Sequence, residues 1–133
     1  MKNKKEYRQD NELFLKEISK QDGVKSLDGG IFYKVISEGK GLGGITPMSV
    51  VTVHYRGSLV SGHVFDDSWT RSCPDAFRVN TLIDGFQTAL CNMRIGDRWT
   101  VYIPWQKGYG KRSEGDIPGF STLIFEIELI HVT

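Results

Sequence analysis

The sequence of 133 residues has only two cysteines, Cys73 and Cys91. Two thiols cannot build a disulfide scaffold, and these two lack metal-site spacing, so both are read as free. Charge of one sign is missing as well: 17 Lys and Arg face 16 Asp and Glu, for a formal net charge of +1. A nearly neutral chain has little electrostatic purchase on a phosphate backbone, which excludes nucleic acid as the expected partner. No window approaches the ~18 consecutive apolar residues of a membrane span. The N-terminus, Met1-Lys2-Asn3-Lys4-Lys5-Glu6, runs into charge where a secretory signal would turn apolar. No membrane partner is expected. The expected location is the cytoplasm, or the periplasm if a leader has been removed.

Glycine is missing too, but only locally. Residues 1 to 22 hold 11 of the 33 charges and no glycine, whereas the other 22 charges and all 15 glycines follow. The chain therefore divides into a polar lead, residues 1–30, and a turn-rich body, residues 31–133. A chain of this length suits one domain, burying about two-thirds of its unfolded surface.

In the lead, Tyr7, Phe14 and Ile18 recur at spacings of seven and four among helix formers such as Glu12, Lys16 and Glu17. This predicts a helix from about Gln9 to Gln21, stopped by Asp22-Gly23 and packed through Phe14 and Ile18. Ile31 to Ile36 reads as a strand, and Gly39, Gly41, Gly43, Gly44 and Pro47 as a loop. From Val50 to Ser58, Val51, Val53 and Tyr55 share one face and Thr52, His54 and Arg56 the other, as in a half-buried strand. Ser61-Gly62 turns the chain into Val64-Phe65, forming a hairpin. A polar stretch from Asp66 to Asp75 leads to a short strand, Phe77-Arg78-Val79.

Thr81 with Asp84 three residues on resembles a capping box, and Ile83, Phe86, Leu90 and Met93 follow at helical spacing. Trp99, Val101 and Ile103 alternate with Thr100 and Tyr102. After a glycine-rich loop from Lys107 to Gly119, Leu123, Phe125, Ile127 and Leu129 alternate with Ile124, Glu126, Glu128 and Ile130. Four or five alternating strands and one late amphipathic helix predict an α+β fold, an antiparallel sheet covering a helix.

Three patterns lead nowhere. Gly39 to Gly44 matches G-x-G-x-x-G, but Ile45-Thr46-Pro47 and a strand follow where phosphate binding needs a helix N-terminus. His54, His63 and His131 have neither helical spacing nor a cysteine pair beside them, so no metal site is expected. The serines include no G-x-S-x-G. No cofactor is expected either. What remains is an aromatic surplus on converging elements: Tyr55, Phe65, Phe77, Phe86, Tyr109 and Phe125, with Ile83. Asp66 beside Phe65, and Tyr109 between two glycines, would bring polar groups to the rim of an apolar pocket.

The order of these residues resembles the FKBP family of peptidyl-prolyl cis-trans isomerases. The resembling text is Val53-His54-Tyr55-Arg56-Gly57, Phe65-Asp66-Asp67-Ser68, Leu82-Ile83-Asp84-Gly85-Phe86 and Met93-Arg94-Ile95-Gly96-Asp97. It continues with Gly108-Tyr109-Gly110, Ile117-Pro118 and Ser121 to Leu129, over about residues 31 to 131. The lead segment Asn11 to Glu17 resembles the one preceding the catalytic domain in the Mip-like bacterial branch.

The resemblance implies a twisted antiparallel sheet wrapped on a short helix, with a proline-accepting pocket between them. It assigns catalytic roles to Asp66, Tyr109, Tyr55 and Phe125, and substrate binding to Phe65, Phe77, Leu82, Ile83, Phe86 and Ile117. Arg71 matches the family arginine that can pair with the aspartate. The implied partners are proline-containing polypeptides and macrolides of the rapamycin type, bound by a monomer. Two departures stand out. Phe86 replaces the usual tryptophan floor, so affinity for proline-mimicking ligands should fall. Gly119 replaces a second proline, which would loosen its loop. A proline-peptide binding module or chaperone without turnover, and a small-ligand carrier, are the competing expectations.

Overall fold

The computed structural model describes residues 2–133. Helix α1 spans Lys4–Ser19, starting five residues earlier than the apolar spacing predicts. The cause lies in Asn3 and Glu6: the Glu6 N–H donates to Asn3 Oδ1 at 2.9 Å and Asn3 Nδ2 donates back to Glu6 Oε1 at 2.9 Å. This reciprocal cap satisfies a first-turn donor without any apolar residue. The chain then turns at Gly23, whose φ of 81° lies in the left-handed region.

Seven strands follow instead of four or five. They are β1 (Lys25–Leu27), β2 (Ile31–Ser37), β3 (Val50–Leu59), β4 (Val64–Asp67), β5 (Asp75–Arg78), β6 (Arg98–Ile103) and β7 (Leu123–Val132), with helix α2 (Asp84–Asn92) inserted between β5 and β6. One antiparallel sheet runs in the order β1-β2-β6-β7-β3-β4, and β5 pairs with β3. The two ends of β3 thus have different neighbours on the same side: Val50 to Val53 pair with β5 and Arg56 to Ser58 with β4.

The predicted alternation sets the core. Val51, Val53 and Tyr55 of β3, Trp99, Val101 and Ile103 of β6, and Phe125, Ile127 and Leu129 of β7 are all buried, together with Phe86, Ala89 and Leu90 of α2. Strand β6 departs from simple alternation because Tyr102, on the opposite face, is buried as well. Helix α1 covers that face, placing Phe14 edge-on to Tyr102 at 6.3 Å and burying Ile18.

The capping box predicted at Thr81 and Asp84 does not form. Val79–Thr81 is a 3-10 turn in which the Thr81 hydroxyl donates to the Arg78 carbonyl at 2.7 Å. The N-cap of α2 is Ile83, in extended conformation and with no side-chain cap. Gly119 has a packing role in its loop. The Lys111 carbonyl closes onto it where any Cβ would collide, so the missing side chain lets the loop fold back on itself.

Asn11 ties the lead to the body. It is buried; its Oδ1 accepts from the Thr122 N–H at 2.8 Å, its Nδ2 donates to the Tyr7 carbonyl at 2.8 Å, and its carbonyl accepts from the Thr122 hydroxyl at 3.0 Å. Asn11→Ala strands the buried Thr122 N–H. The expected loss of stability is about 1–3 kcal/mol, read as a lower urea midpoint at unchanged m-value. A midpoint equal to wild type would show that α1 unfolds independently of the sheet.

Candidate active site

A cavity of about 420 Å³ opens between the sheet, the N-terminal end of α2 and the loop before β7. Its lining includes all ten residues expected from the sequence: Tyr55, Phe65, Asp66, Phe77, Leu82, Ile83, Phe86, Tyr109, Ile117 and Phe125. Thr81 and Asp116 line it as well, and each is a chain neighbour of an expected residue. A larger groove, about 510 Å³, lies beside α1 near Gly29, Gly30 and Pro104 to Gln106. Chemistry favours the smaller cavity, where six aromatic side chains, Tyr55, Phe65, Phe77, Phe86, Tyr109 and Phe125, converge with a hydrogen-bonded carboxylate.

The cage is built from edge-to-face rings. Phe86 and Phe125 meet at 5.1 Å, Tyr55 and Phe86 at 5.9 Å, Tyr55 and Phe77 at 5.9 Å, and Phe65 and Phe125 at 5.7 Å. Phe86 and Phe125 are each only 3% exposed, so they form a rigid floor, while Phe65 is half-buried at the rim. Such pairs add roughly 0.5–1.5 kcal/mol beyond the area they bury.

A β-bulge explains how neighbouring residues reach one cavity. In a regular strand Phe65 and Asp66 would point to opposite faces. Here Gly57 pairs with Asp66 and Ser58 with Val64, so Phe65 is an extra residue on β4. The register shift re-aims the strand, and both side chains line the cavity. No composition or periodicity signal in β4 announces it.

Asp66 is held from two sides. Tyr55 Oη donates to its Oδ2, and Arg71 Nη1 donates to its Oδ1 at 2.5 Å while Nη2 reaches Asp75 Oδ2 at 2.5 Å. Arg71 thus fulfils the pairing expected of it. Burial pushes the Asp66 carboxyl up, but the hydrogen bonds from Tyr55 and Arg71 and the guanidinium charge outweigh it and leave the carboxyl below its usual range. Burial and the bond to Asp66 push the Tyr55 hydroxyl well above its usual range. Tyr109 is pushed up by burial and by the charges of Asp66 and Glu114. At neutral pH the cavity is lined by two carboxylates, Asp66 and Asp116, and two neutral phenols.

Two donors on cavity-lining residues have no partner among the described residues: the Tyr109 hydroxyl and the backbone N–H of Ile83. Tyr109 is pinned through its neighbour, since the Gly110 N–H donates to the Trp105 carbonyl at 2.9 Å and the Phe120 N–H to the Gly110 carbonyl at 2.9 Å. Ile83 is presented by its extended N-cap conformation ahead of α2. Ser68, part of the resembling text but given no role there, is fully buried. Its Oγ accepts from the Tyr55 N–H at 2.7 Å and lies 2.7 Å from His54 Nδ1.

The patterns set aside in the sequence have structural roles. Gly39 packs against the turn at Ile95 to Asp97, with no room for a Cβ, and its N–H donates to Asp97 Oδ1 at 2.7 Å. The Asp97 carboxylate also accepts from the Arg94 N–H at 2.9 Å. His54 stacks on Trp69 at 5.2 Å, His63 contacts Asp116 at 2.5 Å, and His131 is exposed near the end of β7. Cys73 is exposed and Cys91 half-buried, both as free thiols. No helix is long and apolar enough to cross a membrane among the described residues.

Comparison with known proteins agrees with this geometry. The chain is 42% identical over 122 residues to the FKBP-type 22 kDa peptidyl-prolyl cis-trans isomerase of Escherichia coli K12, covering 90% of this chain and 58% of that protein. It is 40% identical over 120 residues to the peptidyl-prolyl cis-trans isomerase Mip of Coxiella burnetii, covering 90% and 52% respectively. The chain therefore spans little more than half the length of these curated relatives. Among solved structures, a peptidyl-prolyl cis-trans isomerase from Pseudomonas syringae superposes with a TM-score of 0.91 at 34% identity, covering 100% of this chain and 98% of that one. FkpA from Escherichia coli gives 0.91 at 33%, covering 97% and 60%. With the family model for FKBP-type peptidyl-prolyl cis-trans isomerase matching residues 44–130, the chain belongs to that family.

Proposed function

We infer that this protein accelerates rotation about X-Pro peptide bonds in peptides and folding polypeptides, without covalent chemistry. The observation that carries this reading is the aromatic floor of Phe86, Phe125 and Tyr55 beside a carboxylate whose oxygens are already hydrogen-bonded. The amide barrier is about 18–20 kcal/mol and uncatalysed exchange takes tens to hundreds of seconds. No bond breaks, so no nucleophile is needed. What is needed is an environment that disfavours the planar amide more than the twisted one.

An apolar cavity does this directly. The planar amide is the more polar form because resonance places negative charge on its oxygen, and desolvation penalises it more than the twisted form, in which resonance is lost. Phe86 and Phe125 grip the proline ring. The Tyr109 hydroxyl and Ile83 N–H hold neighbouring carbonyls in the twisted geometry. Asp66, kept ionised by Tyr55 and Arg71, repels the carbonyl oxygen more in the planar ground state, where that oxygen carries more charge, than in the transition state. A millionfold acceleration requires about 8 kcal/mol of such selective stabilisation.

The direct test is the cis/trans exchange rate of a Pro-containing peptide with catalytic amounts of the protein. Exchange should accelerate in proportion to protein concentration. A background rate with measurable peptide binding would replace this reading by that of a binding module. Macrolides of the rapamycin type belong to the same proposal as competitors for the cavity, with lower affinity over a Phe86 floor than over an indole. A single copy of the chain supplies all ten lining residues expected of the site, so the proposed mechanism needs no second copy.

The pH dependence has a defined sign. Asp66 titrates below the usual 3.8 and Tyr55 and Tyr109 above the usual 10.0. Between about pH 5 and pH 9 none of them changes charge, so kcat/KM should be flat there. The stability contributed by the Asp66 contacts is complete above its unfolded value of 3.8 and is lost as pH falls through its lower folded value. A limb near neutrality that persists after His63→Gln, which removes the imidazole held against the cavity-lining Asp116, would require a proton-transferring group and overturn the mechanism.

A further inference from the structure

Gly57 lies buried in the middle of β3, paired with Phe125 of β7 on one side and Asp66 of β4 on the other. It shares the inward face of β3 with Tyr55 and Leu59. Its backbone is not among the positive-φ glycines, so conformation does not call for glycine at this position. Space does. A Cβ on residue 57 would stand 2.6 Å from Cζ of Phe65 and 2.7 Å from Cε1 of Phe125. The ring edges of two cavity walls therefore lean into the volume that any other residue's side chain would fill.

We propose that Gly57 is a positioning residue that sets the width of the cavity, by letting Phe65 and Phe125 recess over β3. The proposal rests on the isomerase reading and deepens it. Phe125 is backed by Phe86 at 5.1 Å and has little freedom to yield. Phe65, carried by the bulge and half-buried, is the wall that moves, and a methyl group at 57 drives it toward the proline position. The bulge and the glycine act together: the bulge turns Phe65 inward, and the glycine accommodates its ring. A purely structural glycine would leave the cavity walls where they are when replaced. Alanine at a non-glycine φ in a strand does not by itself strain the backbone.

The test is a cycle of four proteins: wild type, Gly57→Ala, Phe65→Leu and the double variant. For each, near-UV circular dichroism reports the fold, and exchange of a Pro-containing tetrapeptide and its equilibrium binding report the cavity. Gly57→Ala should lower kcat/KM at least about tenfold, equivalent to about 1.4 kcal/mol, and weaken peptide binding. In the Phe65→Leu background the same change should cost under about threefold, since leucine withdraws the Phe65 ring edge and leaves Phe125, the other ring within 2.7 Å, the space of the missing ring to tilt into. Equal losses in both backgrounds, or a Gly57→Ala protein with wild-type kcat/KM, would overturn the proposal. If Gly57→Ala alone does not fold, Phe65→Leu against the double variant decides it by the same threshold. An inactive wild type overturns the isomerase reading instead, and peptide binding across the four proteins then tests the role of Gly57.

Discussion

Replacing Asp66 by Asn and Tyr109 by Phe together should reduce kcat/KM for a Pro-peptide about 100-fold, roughly tenfold or 1.4 kcal/mol for each change. The substitutions are chosen to remove function and spare structure. Asparagine keeps an acceptor for the Tyr55 hydroxyl, which is only 7% exposed at its residue and would otherwise be stranded. What it removes is the charge that acts on the twisting carbonyl. Phenylalanine keeps the ring of Tyr109 and deletes a hydroxyl that has no partner among the described residues, so the folded state loses no contact. The thermal midpoint should fall only by what the part-exposed Asp66–Arg71 ion pair contributes, while proline-limited refolding of a client protein slows to near background. A double variant within threefold of wild-type kcat/KM would remove both residues from the mechanism and leave the apolar floor as the sole catalyst.

The second large effect is on stability. Phe125→Ala should lower the unfolding free energy by about 3–5 kcal/mol, a large fraction of what a domain of this size possesses. Phe125 is 3% exposed, meets Phe86, Phe65 and Tyr55, and lies on β7 between β3 and β6. The comparison is Phe65→Ala, where the ring is half-buried and surrounding groups can close over the gap; it should cost markedly less. Guanidinium unfolding of both variants measures the difference. Equal losses would mean that the floor and rim of the cavity are equally packed, against the rigid-floor description.

How legible all this was differs from element to element, for physical reasons. Strands β3, β6 and β7 were visible because apolar residues recur at every second position on the face each turns to the core, and β2 because it is rich in β-branched and aromatic residues. Strand β1, Lys25-Ser26-Leu27, has no apolar partner to alternate with and exists because it pairs with β2. The start of α1 was written in Asn3 and Glu6, a polar signal that a search for apolar spacing passes over. Thr81 carried the opposite error: it had a capping residue's chemistry, but a 3-10 turn captured its hydroxyl first. At the site, Asp66 and Tyr109 stood out as polar groups at the rim of an apolar pocket, whereas their catalytic roles, and Leu82 and Ile117 as lining, came from the family resemblance. The bulge that aims Phe65 and the vacancy at Gly57 are properties of register and close approach, which no single residue type announces.

Strand β7 is the last element of the fold and yet lies between β3 and β6, near the middle of the sheet. On a ribosome, everything before it emerges as two disconnected parts, with β2–β6 on one side and β3–β4–β5 on the other. Neither has a partner for its inner edge until Leu123 to Val132 arrives. Thr122, which holds α1 through Asn11, arrives in the same stretch. Closure of the sheet therefore waits for β7, with long-range pairing as the slow step. A nascent chain arrested before β7 should expose two unpaired strand edges and depend on chaperones that shield them.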